Sequence, residues 1–218
     1  MIGIIVAMDK EAKNFLDNMV NLKQFTALNK KIYSGEFKGK ECVLMISGIG
    51  KVNSALATQY IIDKYNPEYI LNFGTTGAID NSSMKVGDVY ICKKAIQFDF
   101  DLTEIDNCEI GYMEEYDTKF FDCKNDFLDR ENAVGVLATA DKFSDNIEDI
   151  NFLRNIGCNL KDMEGGAIFQ VCKANNMPLL MVKAVSDVAN SDSSMIQQYL
   201  ENVKIASKKL IEYLLELL

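Results

Sequence analysis

The sequence predicts a single-domain, three-layer α/β/α fold over residues 1–218, built on a mixed, mostly parallel central sheet. Short β-branched apolar runs alternate with helix-spaced apolar positions along almost the whole chain. No linker, repeat or low-complexity segment interrupts them. The composition, 48% hydrophobic and 25% charged with two prolines, is that of an ordinary globular chain. A chain of 218 residues can bury about 70% of its unfolded surface, so no disulfide or metal staple is required.

Residues 2–6 are continuously apolar and β-branched, the pattern of a strand buried on both faces. Ala12, Phe15, Leu16 and Met19 follow at helical spacing. Residues 32–37 and 41–47 flank Lys38-Gly39-Lys40 as a hairpin with a three-residue connection, which makes the sheet mixed. Val52, Ala55, Leu56 and Ile62 carry a helix to Asn66-Pro67, where proline stops it. Residues 69–73 read as a strand that breaks at Gly74-Thr75-Thr76-Gly77. Residues 88–95 and 134–140 are further strands, separated by an irregular acidic stretch over 99–130. Ala167, Ile168, Val171 and Cys172 mark a helix, residues 178–185 a strand, and Ile196 to Leu214 a long amphipathic helix.

The net charge of −9, from 23 Lys+Arg against 32 Asp+Glu, repels a phosphate backbone and argues against a nucleic-acid partner. The chain has no histidine, which excludes the common nucleophilic triads, a His-ligated zinc and an imidazole acid/base. Arginine occurs only at positions 130 and 154, so bidentate anion clamps are scarce. The six cysteines are at least 14 positions apart, a spacing that favours reduced thiols in a cytoplasm over a disulfide framework or metal site. The apolar run at 1–8 leads straight into Asp9-Lys10-Glu11 and is expected to be neither a signal peptide nor a membrane span.

In open α/β sheets ligands collect beyond the carboxyl ends of the strands. The segments expected there are 8–11, 47–50, 74–77, 141–144, 162–164 and 186–187. Four of the six carry carboxylates. Glu11 also fits a first-turn helix acid favoured by the dipole, Asp162 and Glu164 fit the flanks of a helix start, and Asp187 fits an N-cap. Asp99-x-Asp101 resembles half a metal site but reads better as a loop. Gly48-x-Gly50 and Gly74 do not extend to a phosphate-binding motif. Converging acids without histidine, arginine or a metal motif suggest a carboxylate hydrolase, for which one acid, one base and a sugar-holding group suffice.

Seven strings occur in the order seen in 5′-methylthioadenosine/S-adenosylhomocysteine nucleosidases, which the chain resembles from residue 2 to about 190. They are Ile4-Ile5-Val6-Ala7-Met8-Asp9-Lys10-Glu11, Ser47-Gly48-Ile49-Gly50-Lys51-Val52-Asn53, Gly74-Thr75-Thr76-Gly77, Lys85-Val86-Gly87-Asp88, Asp99-Phe100-Asp101-Leu102-Thr103, Asp162-Met163-Glu164-Gly165 and Ser186-Asp187-Val188-Ala189. The resemblance implies a nucleoside phosphorylase-like fold, a homodimer, no cofactor, and hydrolysis of the adenine N-glycosidic bond of 5′-thio-substituted adenosines. It implies Glu11 as the water-activating carboxylate and Asp187 as the acid for adenine N7. Glu164 would take the ribose hydroxyls and Met163 would pack on the sugar. Phe143 would stack near the base, the Ser144 backbone would meet the purine edge, and Thr75, Thr76 and Gly77 would lie beside ribose and base. Ser186, Asp162 and Lys183 complete the implied set. Ile49 and Ile196 would border the alkylthio pocket, which Leu102 of a second copy would enter. Lys183 and Asp162 replace the family's frequent arginine and glutamate, and Thr139-Ala140-Asp141 replaces its usual Ser-Gly-Asp. Three rival readings are a phosphorylase on the same fold, a non-catalytic nucleoside-binding module and a nucleosidase for aminodeoxyfutalosine-type substrates.

Overall fold

The computed structural model describes residues 1–79, 83–125, 133–143, 145–189 and 193–218. Strand β1 (Ile2–Val6) is buried along its length and is followed by α1 (Asp9–Leu16). The antiparallel strands β2 (Val20–Ala27), β3 (Lys30–Phe37) and β4 (Lys40–Ile46) come next, then α2 (Lys51–Tyr65). β1 lies between parallel partners, β4 and β5 (Tyr69–Ala78). Beyond β5 come β6 (Val89–Gln97), α3 (Thr103–Asp106), β7 (Phe121–Asp122), β8 (Val134–Thr139) and α4 (Ile147–Asn155). The chain ends with β9 (Leu160–Asp162), α5 (Gly165–Ala174), β10 (Leu179–Val188) and α6 (Met195–Leu217).

Alternation of side chains across the pleat sorts the core into two layers. Ile2, Ile4 and Val6 join Leu44, Phe73 and residues of α1 and α6 on one face, whereas Ile5 joins Val43, Met45, Ile70 and residues of α2 and α5 on the other. The three-layer expectation is therefore met. The sheet also closes on itself, which the sequence does not announce. β5 pairs with β10, β10 with β6, β6 with β8, β8 with β9, and β9 returns to β5.

Several local expectations are corrected. The hairpin turn has two residues, since Phe37 pairs with Lys40, and Lys38 and Gly39 both adopt positive φ as a tight primed turn requires. Helix α1 ends at Leu16, leaving Met19 buried but outside it. The buried face of α2 is Ser54, Ala57, Thr58, Ile61 and Ile62, while Val52 and Leu56 are exposed. β5 runs through Gly74-Thr75-Thr76-Gly77 to Ala78, and β10 through Ser186-Asp187 to Val188. Strand β2 is exposed along nearly all its length and β9 is three residues long, so neither shows a buried period, and helix α4 buries only Ile150 and Leu153.

Phe15 stacks on Phe37 with ring centroids 4.2 Å apart and tilts against Phe73 at 5.0 Å, fastening α1 to the sheet. Phe15→Ala should cost about 3–5 kcal/mol, measured as a lowered urea midpoint with an unchanged slope.

Candidate functional site

The Gly48-Ile49-Gly50 turn ends the β4 branch and starts α2 so that two of its first amides meet carboxylates. Gly50 N–H donates to Glu164 Oε1 at 2.9 Å and Lys51 N–H to Asp141 Oδ1 at 2.8 Å. Gly50 has a φ of 99°, and a Cβ there would come within 3.0 Å of Asp141 Oδ1, so glycine is needed on both counts. The helix N-terminus thus holds Glu164 in place with favourable electrostatics.

Glu11 is buried in the first turn of α1. Its Oε1 accepts from both the Thr75 backbone N–H and the Thr75 hydroxyl, each at 2.8 Å. Burial pushes the Glu11 carboxyl above its usual range, against the Thr75 bonds and the Lys183 and Lys10 charges. Asp187 reaches the same space because of a β-bulge. Val185 pairs with Thr76 and Asp187 with Gly77, leaving Ser186 as the extra residue. The Ser186 hydroxyl donates to Asp187 Oδ1 at 2.7 Å. Burial raises the Asp187 carboxyl as well, opposed by the Ser186 bond and the Lys161 charge. Glu11 Oε2 and Asp187 Oδ2 are both buried and have no hydrogen-bond partner among the described residues. Each carboxylate therefore uses one oxygen on the protein and leaves the other for a ligand.

Glu164 is pushed up to about 7, first by burial and then by the Asp162 charge, with Lys183 and the Gly50 amide pulling the other way. Beneath it Lys183 Nζ and Asp162 Oδ2 form an ion pair at 2.9 Å, each side chain 2% exposed. Burial works against the Lys183 charge, but Asp162 and Glu164 outweigh it and hold the ammonium above its usual value. Asp162 also accepts from the Thr139 hydroxyl at 2.6 Å and from Gly165 N–H.

Glu11, Asp187 and Glu164 face one cavity of about 360 Å³. Glu11, Thr75, Thr76, Gly77, Ser186 and Asp187 form its polar floor. Asp162, Met163 and Glu164 form one wall, and Ile49, Phe143 and Ile196 stand at the rim, each about half exposed. Lys183 is behind the wall, and Leu102 lies away from the cavity at the start of α3. Ser144 lies outside the described residues. The cavity also takes in Lys161, Tyr199 and Leu200, which the sequence reading missed. Tyr199 and Leu200 follow Ile196 at helical spacing and were available as a signal. Lys161 was not, because the three-residue β9 has no legible pattern. The Phe143 and Tyr199 rings lie 6.0 Å apart over the opening. Among the described residues no cluster of three or more Cys, Asp or Glu is arranged to hold a metal ion. Among the described residues no helix is long and apolar enough to cross a membrane.

Residues 1–218 match the family model described as the phosphorylase superfamily. The 5′-methylthioadenosine/S-adenosylhomocysteine nucleosidase of Staphylococcus aureus strain JH9 is 32% identical over 226 aligned residues, covering 98% of each chain. The solved structure of the Neisseria meningitidis 5′-methylthioadenosine/S-adenosylhomocysteine nucleosidase with methylthio-immucillin-A superposes with a TM-score of 0.88 at 27% identity, over 99% of this chain and 97% of that one. The corresponding nucleosidase of Colwellia psychrerythraea 34H in complex with adenine gives 0.87 at 28% identity, over 99% and 93%.

A carboxyl raised in the folded state binds its proton more tightly than in the unfolded chain. The stability this brings is full below the unfolded value and is lost as pH rises through the folded one. For Glu164 the window is from 4.5 to about 7. The urea midpoint of Glu164→Gln relative to the parent should therefore climb across that interval and level off above it.

Proposed function

Because the chain belongs to the 5′-methylthioadenosine/S-adenosylhomocysteine nucleosidase family of the phosphorylase superfamily, we propose that its cavity binds 5′-thio-substituted adenosines and hydrolyses their N-glycosidic bond. The products are adenine and a thio-ribose. The observation that carries this at the level of residues is the pair of half-satisfied buried carboxyls, Glu11 and Asp187, facing one cavity. Water attacks C1′ as the bond to N9 breaks. Glu11 takes a proton from the water, and Asp187, whose hold on a proton burial strengthens, gives one to N7 of the leaving adenine. The ribosyl group passes through a cationic transition state, which Glu11 and Glu164 stabilise. That same charge draws Glu164 back toward its ionised form.

The remaining roles follow the cavity wall. Glu164 accepts hydrogen bonds from the ribose hydroxyls, Met163 packs on the sugar and Phe143 on the base. Thr75, Thr76 and Gly77 border ribose and base, and Ile49 and Ile196 border the 5′-thio group. Asp162 and Lys183 act from below by holding Glu164 and the start of α5. The purine-edge role of Ser144 rests on the resemblance alone. Water is favoured over phosphate as the nucleophile because the Arg154 guanidinium is spent on the Ile79 carbonyl and Asn151; Arg130 lies outside the described residues.

The chain is proposed to work as a homodimer, with Leu102 entering the second copy's alkylthio pocket. Support comes from Val52 on α2 at 79% and Ile105 on α3 at 77% exposure, apolar side chains on the two elements flanking the 2.6 Å ion pair by which Lys51 of α2 holds Asp99 of the segment before α3. Light scattering at micromolar concentration should give twice the chain mass; a fully active monomer overturns this. Free thiols at all six cysteines suit a cytoplasmic setting.

Adenine release from 5′-methylthioadenosine should proceed without phosphate and yield free thio-ribose; ribose-1-phosphate chemistry would refute hydrolysis. Asp187→Asn should retain substrate affinity while kcat falls about 10²- to 10⁴-fold. Glu11→Gln should fall at least comparably, since water loses its base and the ribosyl cation a counter-charge. A folded Asp187→Asn enzyme with more than about a tenth of kcat would remove Asp187 from the acid role.

A further inference from the structure

We propose that Lys161 reads the leaving base, so that the pocket also accepts 6-oxopurine nucleosides carrying the same 5′-thio-ribose. This rests on the hydrolase reading above.

The cavity floor has a direction. Glu11 is bonded to Thr75, at the ribose end, with Glu164 close by. Two residues further along β5 is Gly77, which pairs with Asp187 on β10 and with Lys161 on β9. A Cβ on Gly77 would lie 2.7 Å from Asp187 Oδ2 and 3.1 Å from Lys161 Cε, so both side chains cross the space that glycine leaves. Asp187 and Lys161 therefore share the end remote from Glu11. Lys161 is 9% exposed and lines the cavity. Its ammonium makes no hydrogen bond or ion pair among the described residues and lies 5.5 Å from the centre of the Phe143 ring. Burial works against its charge.

An ammonium donates hydrogen bonds and accepts none. With N7 at Asp187, the next polar group of a purine away from the ribose is the 6-substituent. A 6-amino group meets the ammonium donor to donor, whereas a 6-oxo oxygen accepts from it. When the C1′–N9 bond breaks and water bonds to C1′, one water proton passes to Glu11 and the Asp187 proton to N7, leaving hypoxanthine and 5-methylthioribose. Electron density on the departing base spreads onto O6, where a fixed cation stabilises the transition state.

The test compares kcat/KM for 5′-methylthioadenosine and 5′-methylthioinosine. The parent enzyme should release hypoxanthine as well as adenine. Lys161→Met should shift the ratio of the two constants about 10- to 100-fold against the 6-oxopurine, the worth of a hydrogen bond from a charged donor. Lys161→Arg should restore much of it. Adenine release without hypoxanthine release by the parent enzyme overturns the inference, as does an unchanged ratio in a folded Lys161→Met. If that variant does not fold, calorimetry on the parent enzyme decides: hypoxanthine binding more than about 100-fold weaker than adenine is the refuting result. Failure to cleave either substrate strikes the hydrolase reading itself.

Discussion

The ion pair between Lys183 and Asp162, 2.9 Å apart and sealed from water, is the constraint on which the site depends. Neither charge can be buried alone, because removing one partner leaves the other uncompensated at a cost of about 3–5 kcal/mol. The pair links β10 to β9, two strands of the closed ring that do not hydrogen-bond to each other directly. Asp162 then extends the link to Thr139 on β8 and to the first amide of α5. One buried carboxylate thus ties three strands and a helix at the point where Glu164 must be held. Lysine in place of a guanidinium suffices here because the contact needs a compact charge between two strands and no planar fork.

Closure of the ring explains why the site is deep enough to desolvate its acids. An open sheet would leave Gly74 to Gly77 as a loop in water. Here β5 continues through them beside β10, with β9 joining its other side from Gly77, and the Ser186 bulge turns Asp187 inward beside a strand that remains paired. Burial then raises Glu11, Glu164 and Asp187 together. Three acids with raised proton affinity in one cavity divide the work through their second oxygens: Thr75 and Ser186 fix one oxygen of Glu11 and of Asp187, and Gly50 fixes one of Glu164.

The layers, the buried first strand and the ordering of the strand ends were legible because long apolar runs and helical spacing carry strong periodic signals. Most of the cavity wall was legible for the same reason, as residues placed just past those strands. Other features were not, for physical reasons specific to each. β5 reads as broken at Gly74 because glycine is a poor strand former, yet Gly74 and Gly77 are small to admit Glu11 and Asp187. Val52 and Leu56 read as the inner face of α2, but the helix buries Ser54, Ala57, Thr58, Ile61 and Ile62, a face half made of small or polar side chains that carry no strong apolar signal. Lys161 sits on a strand too short to have a period, and its position follows only from pairing with Gly77.

The cavity that results is electrically polarised. Glu11 and Glu164 stand at one end, with their buried cation Lys183 behind the wall, and Lys161 stands at the other beside Asp187. Cleaving a bond between a sugar carbon and a base nitrogen separates charge in the same sense, positive on the sugar and negative on the base. In water the solvent would have to reorient to meet that separation. Here the strands fix it in advance, with Thr75, Ser186 and Gly50 holding the acids and the register at Gly77 holding the lysine. Fixed groups aimed at developing charge require no reorganisation at the moment of reaction. Gly77, in the stretch of β5 that the sequence leaves as a break, is therefore what brings the acid and the cation of the base end onto one side of the pocket.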